Sequence, residues 1–151
     1  MTKEWGPATW CMFHTLSYKL KSNESEHVKE LLTIYIGICY NLPCPFCRDH
    51  AVEILRKANI NQVSNKADLM IFMWQFHNIV NKKLRKREFT YEEYVNKYKN
   101  MVPQNAVETF LRKMYKTKER NVRQMTSKLS RNIKMKQFNE YYIKNKHRYD
   151  D

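Results

Sequence analysis

Residues 66–86 read KADLMIFMWQFHNIVNKKLRK, and within them Leu69, Phe72, Met73, Phe76, Val80 and Leu84 return every three or four positions. That is the spacing of one apolar helical face, sustained too long for a strand. The opposite register holds His77, Asn78, Asn81 and Arg85, a contiguous polar face. Downstream, Thr90 with Glu93 three residues on forms a capping box for a short helix over 90–99. Upstream, the spacing predicts a helix from Cys44 to about Lys57, with Cys44 at the N-cap and Pro45 at the first helical position.

The N-terminal third continues the pattern. Pro7 suits the first turn of a helix reaching about Lys21, whose face carries Trp10, Phe13, His14, Ser17 and Tyr18. Ser25 is placed to cap a second helix over about 26–41, which Asn41–Leu42–Pro43 ends. Only two glycines, Gly6 and Gly37, and four prolines occur, and no convincing β run is present. The fold class is therefore all-α: a four-helix bundle with a short fifth helix. The division expected is a domain over 1–100 and a basic, helical C-terminal extension over 101–151, read as one or two surface helices.

Net charge is +13, and thirteen Lys and Arg against five Asp and Glu fall after residue 100. Such a tail could meet nucleic acid, an anionic membrane or an acidic partner, or reflect composition alone. No apolar run approaches the roughly 20 residues that span a bilayer. The N-terminus has no signal-peptide layout, so the chain is expected to be soluble and uncleaved. Phosphate-cradling glycine motifs and the nucleophile elbow are missing, which sets aside P-loop, Rossmann and hydrolase chemistry.

Three constellations carry chemistry. Cys44–Pro45–Phe46–Cys47 at a helix start can close a disulfide, and the helix N-terminus favours a thiolate there. On these residues alone zinc competes evenly, because Cys39, Cys44, Cys47 and His50 could supply four ligands. The aromatic stripe Trp5, Trp10, Phe13 and His14 can hold a flat heteroaromatic ring, although by itself it reads first as plain core. The segment His77–Lys83, with Arg85, Lys86 and Arg87 behind, can meet an adenine, ribose hydroxyls and a pyrophosphate; alone it reads first as a solvated face.

Together the three are far more specific. WGxxxW followed by FHT, then CPxC, then HNxVNxxL occur in this order, and over roughly residues 4–98 the chain resembles the Erv/ALR family of FAD-linked sulfhydryl oxidases. The resemblance tips the cysteines from zinc to redox and implies no metal. It implies a bundle holding FAD noncovalently at its mouth, with thiols oxidised to disulfides and electrons passed through FAD to O₂, giving H₂O₂. It assigns Cys44 as the outer, attacked sulfur. Cys47 is the inner one beside the flavin, with a depressed pKa from its place near the helix start. Carried over by position, Trp5, Gly6, Trp10, His14, Tyr18, Cys47, His77, Asn78, Val80, Asn81, Lys83, Lys86 and Tyr98 are the cofactor-binding residues, with Lys97 beside Tyr98.

The chain departs from that pattern. The family's shuttle pair is missing, and Cys11 and Cys39 are expected to be buried free thiols rather than a pair. Electrons are therefore expected directly from protein thiol substrates or a small thioredoxin-like redox partner. The resemblance also implies a homodimer through the first two helices. Short members of this kind point to large cytoplasmic DNA viruses, hence host cytoplasm and virion, with the mitochondrial intermembrane space as the alternative. Nucleic acid stays open as a partner of the basic tail without being favoured. The rival reading is a zinc-binding helical adaptor whose tail grips nucleic acid.

Overall fold

The computed structural model describes residues 4–118 and 122–151. Seven α-helices run in order among them: α1 Trp5–Lys19, α2 Val28–Cys39, α3 Pro45–Lys57, α4 Lys66–Lys83, α5 Tyr91–Tyr98, α6 Pro103–Tyr115 and α7 Val122–Asn145. No β-strand forms among the described residues; one isolated bridge joins Leu20 to Tyr149. The all-α reading holds.

Local signals account for most of the helix starts. The Cys44 sulfur accepts the Cys47 N–H and Pro45 opens α3. Asn65 caps α4 through the Asp68 N–H, and Thr90 and Glu93 satisfy each other's backbone donors at α5. Ser25 fails as a cap: residues Ser22–His27 form a 3₁₀ segment, its hydroxyl turns to the Ser22 carbonyl, and α2 begins at Val28 with His27 at the N-cap. α4 stops at Lys83, so Arg85 leaves the helix and takes a left-handed backbone with φ 56°.

The core is built around α1. Met12, Phe13, Leu16 and Leu20 are fully buried, and Tyr35 of α2 sets its hydroxyl 3.0 Å from both Ser17 Oγ and the Phe13 carbonyl. That buried phenol therefore has the partners it requires.

Residues after 100 do not simply lie on the surface. α6 runs along α1 and buries Ala106, Val107, Phe110 and Met114, spaced to form one stripe. α7 crosses α2 and α6 and contributes Met135, Phe138 and Tyr142 to the same apolar core. The expectation of surface helices is corrected on this point: their outward faces are basic, but their inward stripes are core. The chain then returns to α1, where Lys21 N–H meets the Arg148 carbonyl at 2.9 Å and Asp150 N–H meets the Lys19 carbonyl at 2.7 Å. No helix among the described residues is long and apolar enough to cross a membrane.

Candidate active site

The dithiol lies at the junction of two spaces. Cys44 and Cys47 are each half-buried, and Phe46 between them stands 59% exposed. Cys47 lines a narrow, mainly apolar slot of about 60 Å³ with Trp5, Gly6, Trp10, Phe13, Phe76 and Val80. Cys44 instead lines a different cleft, between the turn before α3 and the C-terminal helices. The two sulfurs of one CxxC thus face different neighbours.

Cys47 does not have the depressed pKa expected from its position near the helix start. Burial, its hydrogen bond to Cys44 and the neighbouring Cys44 charge push its thiol up to about 12. Although Cys47 lies in the first turn, desolvation and a second sulfur outweigh the helix dipole in the dithiol form. Cys39, buried behind the slot, is likewise pushed up to about 12 by burial. Cys11 is a half-buried free thiol on the wall of a third space, so only Cys39 of this pair is deeply buried.

That third space is a cleft of about 580 Å³ between α1, the end of α4 and α5. Trp10, Val80 and Leu84 line both it and the slot, so the two are neighbours across these side chains. Its aromatic wall is Trp10 stacked on His77, with centroids 4.0 Å apart and planes 6° apart. Asn81, Lys86, Arg87, Lys97 and Tyr98 supply polar and cationic edges. Behind the wall, His14 Nε2 lies 2.8 Å from His77 Nδ1, one nitrogen donating to the other. Burial, then repulsion from Lys97 and Lys86, lowers the His77 pKa to about 3, and burial lowers that of His14 well below its ordinary value. Both imidazoles are neutral at physiological pH. His14 Nδ1 and the Tyr94 hydroxyl are buried with no hydrogen-bond partner among the described residues.

Of the residues singled out from sequence, Trp5, Gly6, Trp10, Cys47, His77, Val80, Asn81, Lys86 and Tyr98 line the slot or the cleft. His14 supports them from behind. Asn78 is committed elsewhere: its amide donates to the Phe89 carbonyl at 2.8 Å and accepts the Phe89 N–H at 3.1 Å, tethering the segment that carries Lys86 and Arg87. Tyr18 packs in the satellite cluster with Met70, Tyr94 and Tyr98, beneath Lys66, and lines neither space. Lys83 faces a groove between α3 and α4 instead. Sequence reading missed Pro7, Phe89, Glu93 and Met101 on the cleft wall. Phe89 falls three residues after Lys86 and was open to the same argument; Met101 carries no local signal.

The side chains around these spaces suit a flat ring system joined to a diphosphate, although the slot of about 60 Å³ must widen to admit the ring. The slot offers apolar walls beside a sulfur, and the cleft offers aromatic faces and lysines for a diphosphate, so the donor set suits FAD. Zinc suits it less well. Cys39, Cys44, Cys47 and His50 do not gather within 4.8 Å of one another, while His50 stacks on Phe46.

Comparison with known proteins agrees with this chemistry. Residues 7–102 match the Erv1 / Alr family. A putative FAD-linked sulfhydryl oxidase, 096R, of Invertebrate iridescent virus 3 is 30% identical over 99 residues, covering 64% of this chain and 67% of the relative. The FAD-linked sulfhydryl oxidase of African swine fever virus (isolate Pig/Kenya/KEN-50/1950) is 32% identical over 101 residues, covering 65% and 82%. FAD-linked sulfhydryl oxidase ERV2 of Saccharomyces cerevisiae is 33% identical over 85 residues, covering 56% and 43%. No solved structure gives a significant match.

Proposed function

This chain belongs to the Erv1 / Alr family, and on that premise we propose that it is an FAD-linked sulfhydryl oxidase that makes disulfides in protein substrates. The observation that carries the reading is the division of the CxxC: Cys47 on the apolar slot, Cys44 on a separate, adjoining cleft. A substrate thiolate attacks Cys44 of the oxidised pair and Cys47 leaves. A second substrate thiolate then resolves the mixed disulfide. FAD, when bound, supplies the two-electron chemistry that re-oxidises the pair at the expense of O₂, yielding H₂O₂.

The protein's own contributions are position and exclusion of water. Trp5, Trp10, Phe13 and Phe76 keep the slot dry beside Cys47. Lys86 and Lys97 provide charge for the diphosphate, with Asn81 and Tyr98 as polar contacts. Asn78 is a positioning residue acting through Phe89, and His14 acts through His77. Residues 1–100 are the proposed catalytic unit, and α6 and α7 brace it.

Substrates arrive as protein thiols or through a small thioredoxin-like partner. We infer a viral setting, in host cytoplasm and virion, a reading that the iridescent and swine fever virus relatives support. A homodimer built on the first two helices must accommodate α6 and α7, which lie against α1 and α2 of the same chain. The test is the visible spectrum of the purified protein before and after a dithiol under air. A band near about 450 nm that bleaches and recovers with oxygen uptake is expected of a flavin carrier. A colourless protein with stoichiometric zinc overturns the reading.

A further inference from the structure

The cleft at Cys44 encloses about 640 Å³. One side is the turn Leu42–Pro45, and the other is the end of α6 with the first turns of α7. That second side lies beyond residue 102, outside the stretch matching the family. Among its described lining residues Arg48, Lys113, Lys116, Lys118 and Arg131 are cationic, and Glu4 is the single carboxylate. Lys113 pairs with Glu4 at 2.9 Å and Arg48 with Asp49 at 3.3 Å. Lys116 and Lys118 are exposed and make no ion pair among the described residues. A concave surface in which cations outnumber carboxylates concentrates anionic groups within it.

We propose that α6 and α7 make this cleft the docking site for acidic protein segments that carry the cysteines to be oxidised. This rests on the oxidase reading above and adds the substrate class to it. The charge surrounds a sulfur that exchanges with thiols, which favours an acidic polypeptide over a nucleic acid as occupant. Nearby cations also favour the thiolate of the incoming cysteine, the form that attacks. In the exchange, the substrate sulfur bonds to Cys44 Sγ, the Cys44–Cys47 bond breaks, and Cys47 departs with the electron pair. A second substrate thiolate then bonds to the first substrate sulfur and releases Cys44 as a thiolate. Both substrate protons pass to solvent, and the substrate leaves as a disulfide.

The test separates the cleft from the flavin. In the full chain carrying Cys47→Ala, Cys44 is reacted with nitrothiobenzoate-capped cysteine peptides flanked by aspartates or by lysines, the modified cysteine being identified by mass. The aspartate peptide is expected to react at least about tenfold faster at low salt, the advantage fading near 1 M, where the Debye length is about 3 Å. Lys116→Glu with Lys118→Glu is expected to abolish or reverse the preference. Equal rates for the two peptides at low salt overturn the proposal. So does a preference that the two substitutions leave intact, or a cleft that a single-stranded oligonucleotide blocks while the aspartate peptide gains nothing. Failure of the oxidase reading appears separately, as a lack of flavin and of dithiol turnover in the unaltered chain.

Discussion

His14 Nε2 and His77 Nδ1 meet at 2.8 Å across the α1–α4 contact, so a hydrogen bond between two neutral imidazoles ties together the two helices that carry most of the candidate cofactor site. One ring must donate and the other accept, which protonation of both would forbid. Burial enforces the neutral state and keeps Trp10, stacked on His77, in its orientation.

The pH dependence of stability follows. His77 titrates near about 3 in the folded chain, below its ordinary value of 6.5, so between these values the unfolded chain binds the extra proton. Stability from this group is present above the unfolded pKa and is lost as pH falls toward the folded one; His14 acts in the same direction. Urea unfolding at pH 7, 6, 5 and 4 is expected to show a decline on the order of a few kcal/mol. In His77→Gln the decline is shallower.

Cys47 has the opposite sign. Its thiol is held up to about 12 in the reduced chain, partly by Cys44. Alkylation of Cys47 by iodoacetamide is expected to be slow at pH 8 and to keep accelerating above pH 9, since the thiolate is the nucleophile. Cys44→Ala removes the hydrogen bond and the neighbouring charge, so the midpoint of the alkylation profile moves down. Mass spectrometry of pH-resolved labelling checks both.

Loss of either sulfur separates binding from turnover. Cys47→Ser is expected to retain bound FAD, because the slot is lined mainly by other side chains, and to lose oxygen uptake with dithiol. Cys44→Ser also loses turnover on protein thiols. An oxygen electrode combined with the visible spectrum distinguishes them from a chain that has not folded.

Cofactor retention should depend on the cationic rim. Lys86→Ala and Lys97→Ala each remove a cation from the cleft. A charge-assisted hydrogen bond contributes about 1.5–3 kcal/mol, so each substitution is expected to weaken FAD binding by about tenfold or more. Titration of the apoprotein by flavin fluorescence measures it.

The C-terminal helices are expected to be required for folding. Phe110 is fully buried, with its ring edge-on to Phe138 at 5.5 Å. Phe110→Ala should cost about 3–5 kcal/mol through lost transfer energy and the cavity left behind. Thermal unfolding of the full chain reads this directly.

Much of the architecture was legible because its signals are local. A 3.6-residue apolar period, a Thr90–Glu93 capping box and a Cys44–Pro45 helix start are satisfied by residues within a turn or two of one another. Resemblance of the spaced motifs located Cys44, Cys47, Trp10 and His77 for the same reason: they sit at fixed offsets on individual helices. Ser25 misled because a 3₁₀ segment took the place of the first helical turn, and local propensity does not decide between the two.

The tertiary structure decided what depends on distant parts of the chain. It placed α6 along α1 and α7 along α2, turning one stripe of each basic helix into core, because only packing reveals which face of a charged helix is covered. Asn78 was drawn to the Phe89 backbone because a buried amide must be satisfied by whatever is nearest in space. Cys47 was raised rather than lowered because desolvation and an adjacent sulfur are properties of an environment, not of a position in a helix. The sequence by itself determined the helices and the motifs they carry; the assembled fold determined which side chains are dry, which are paired and which line the clefts.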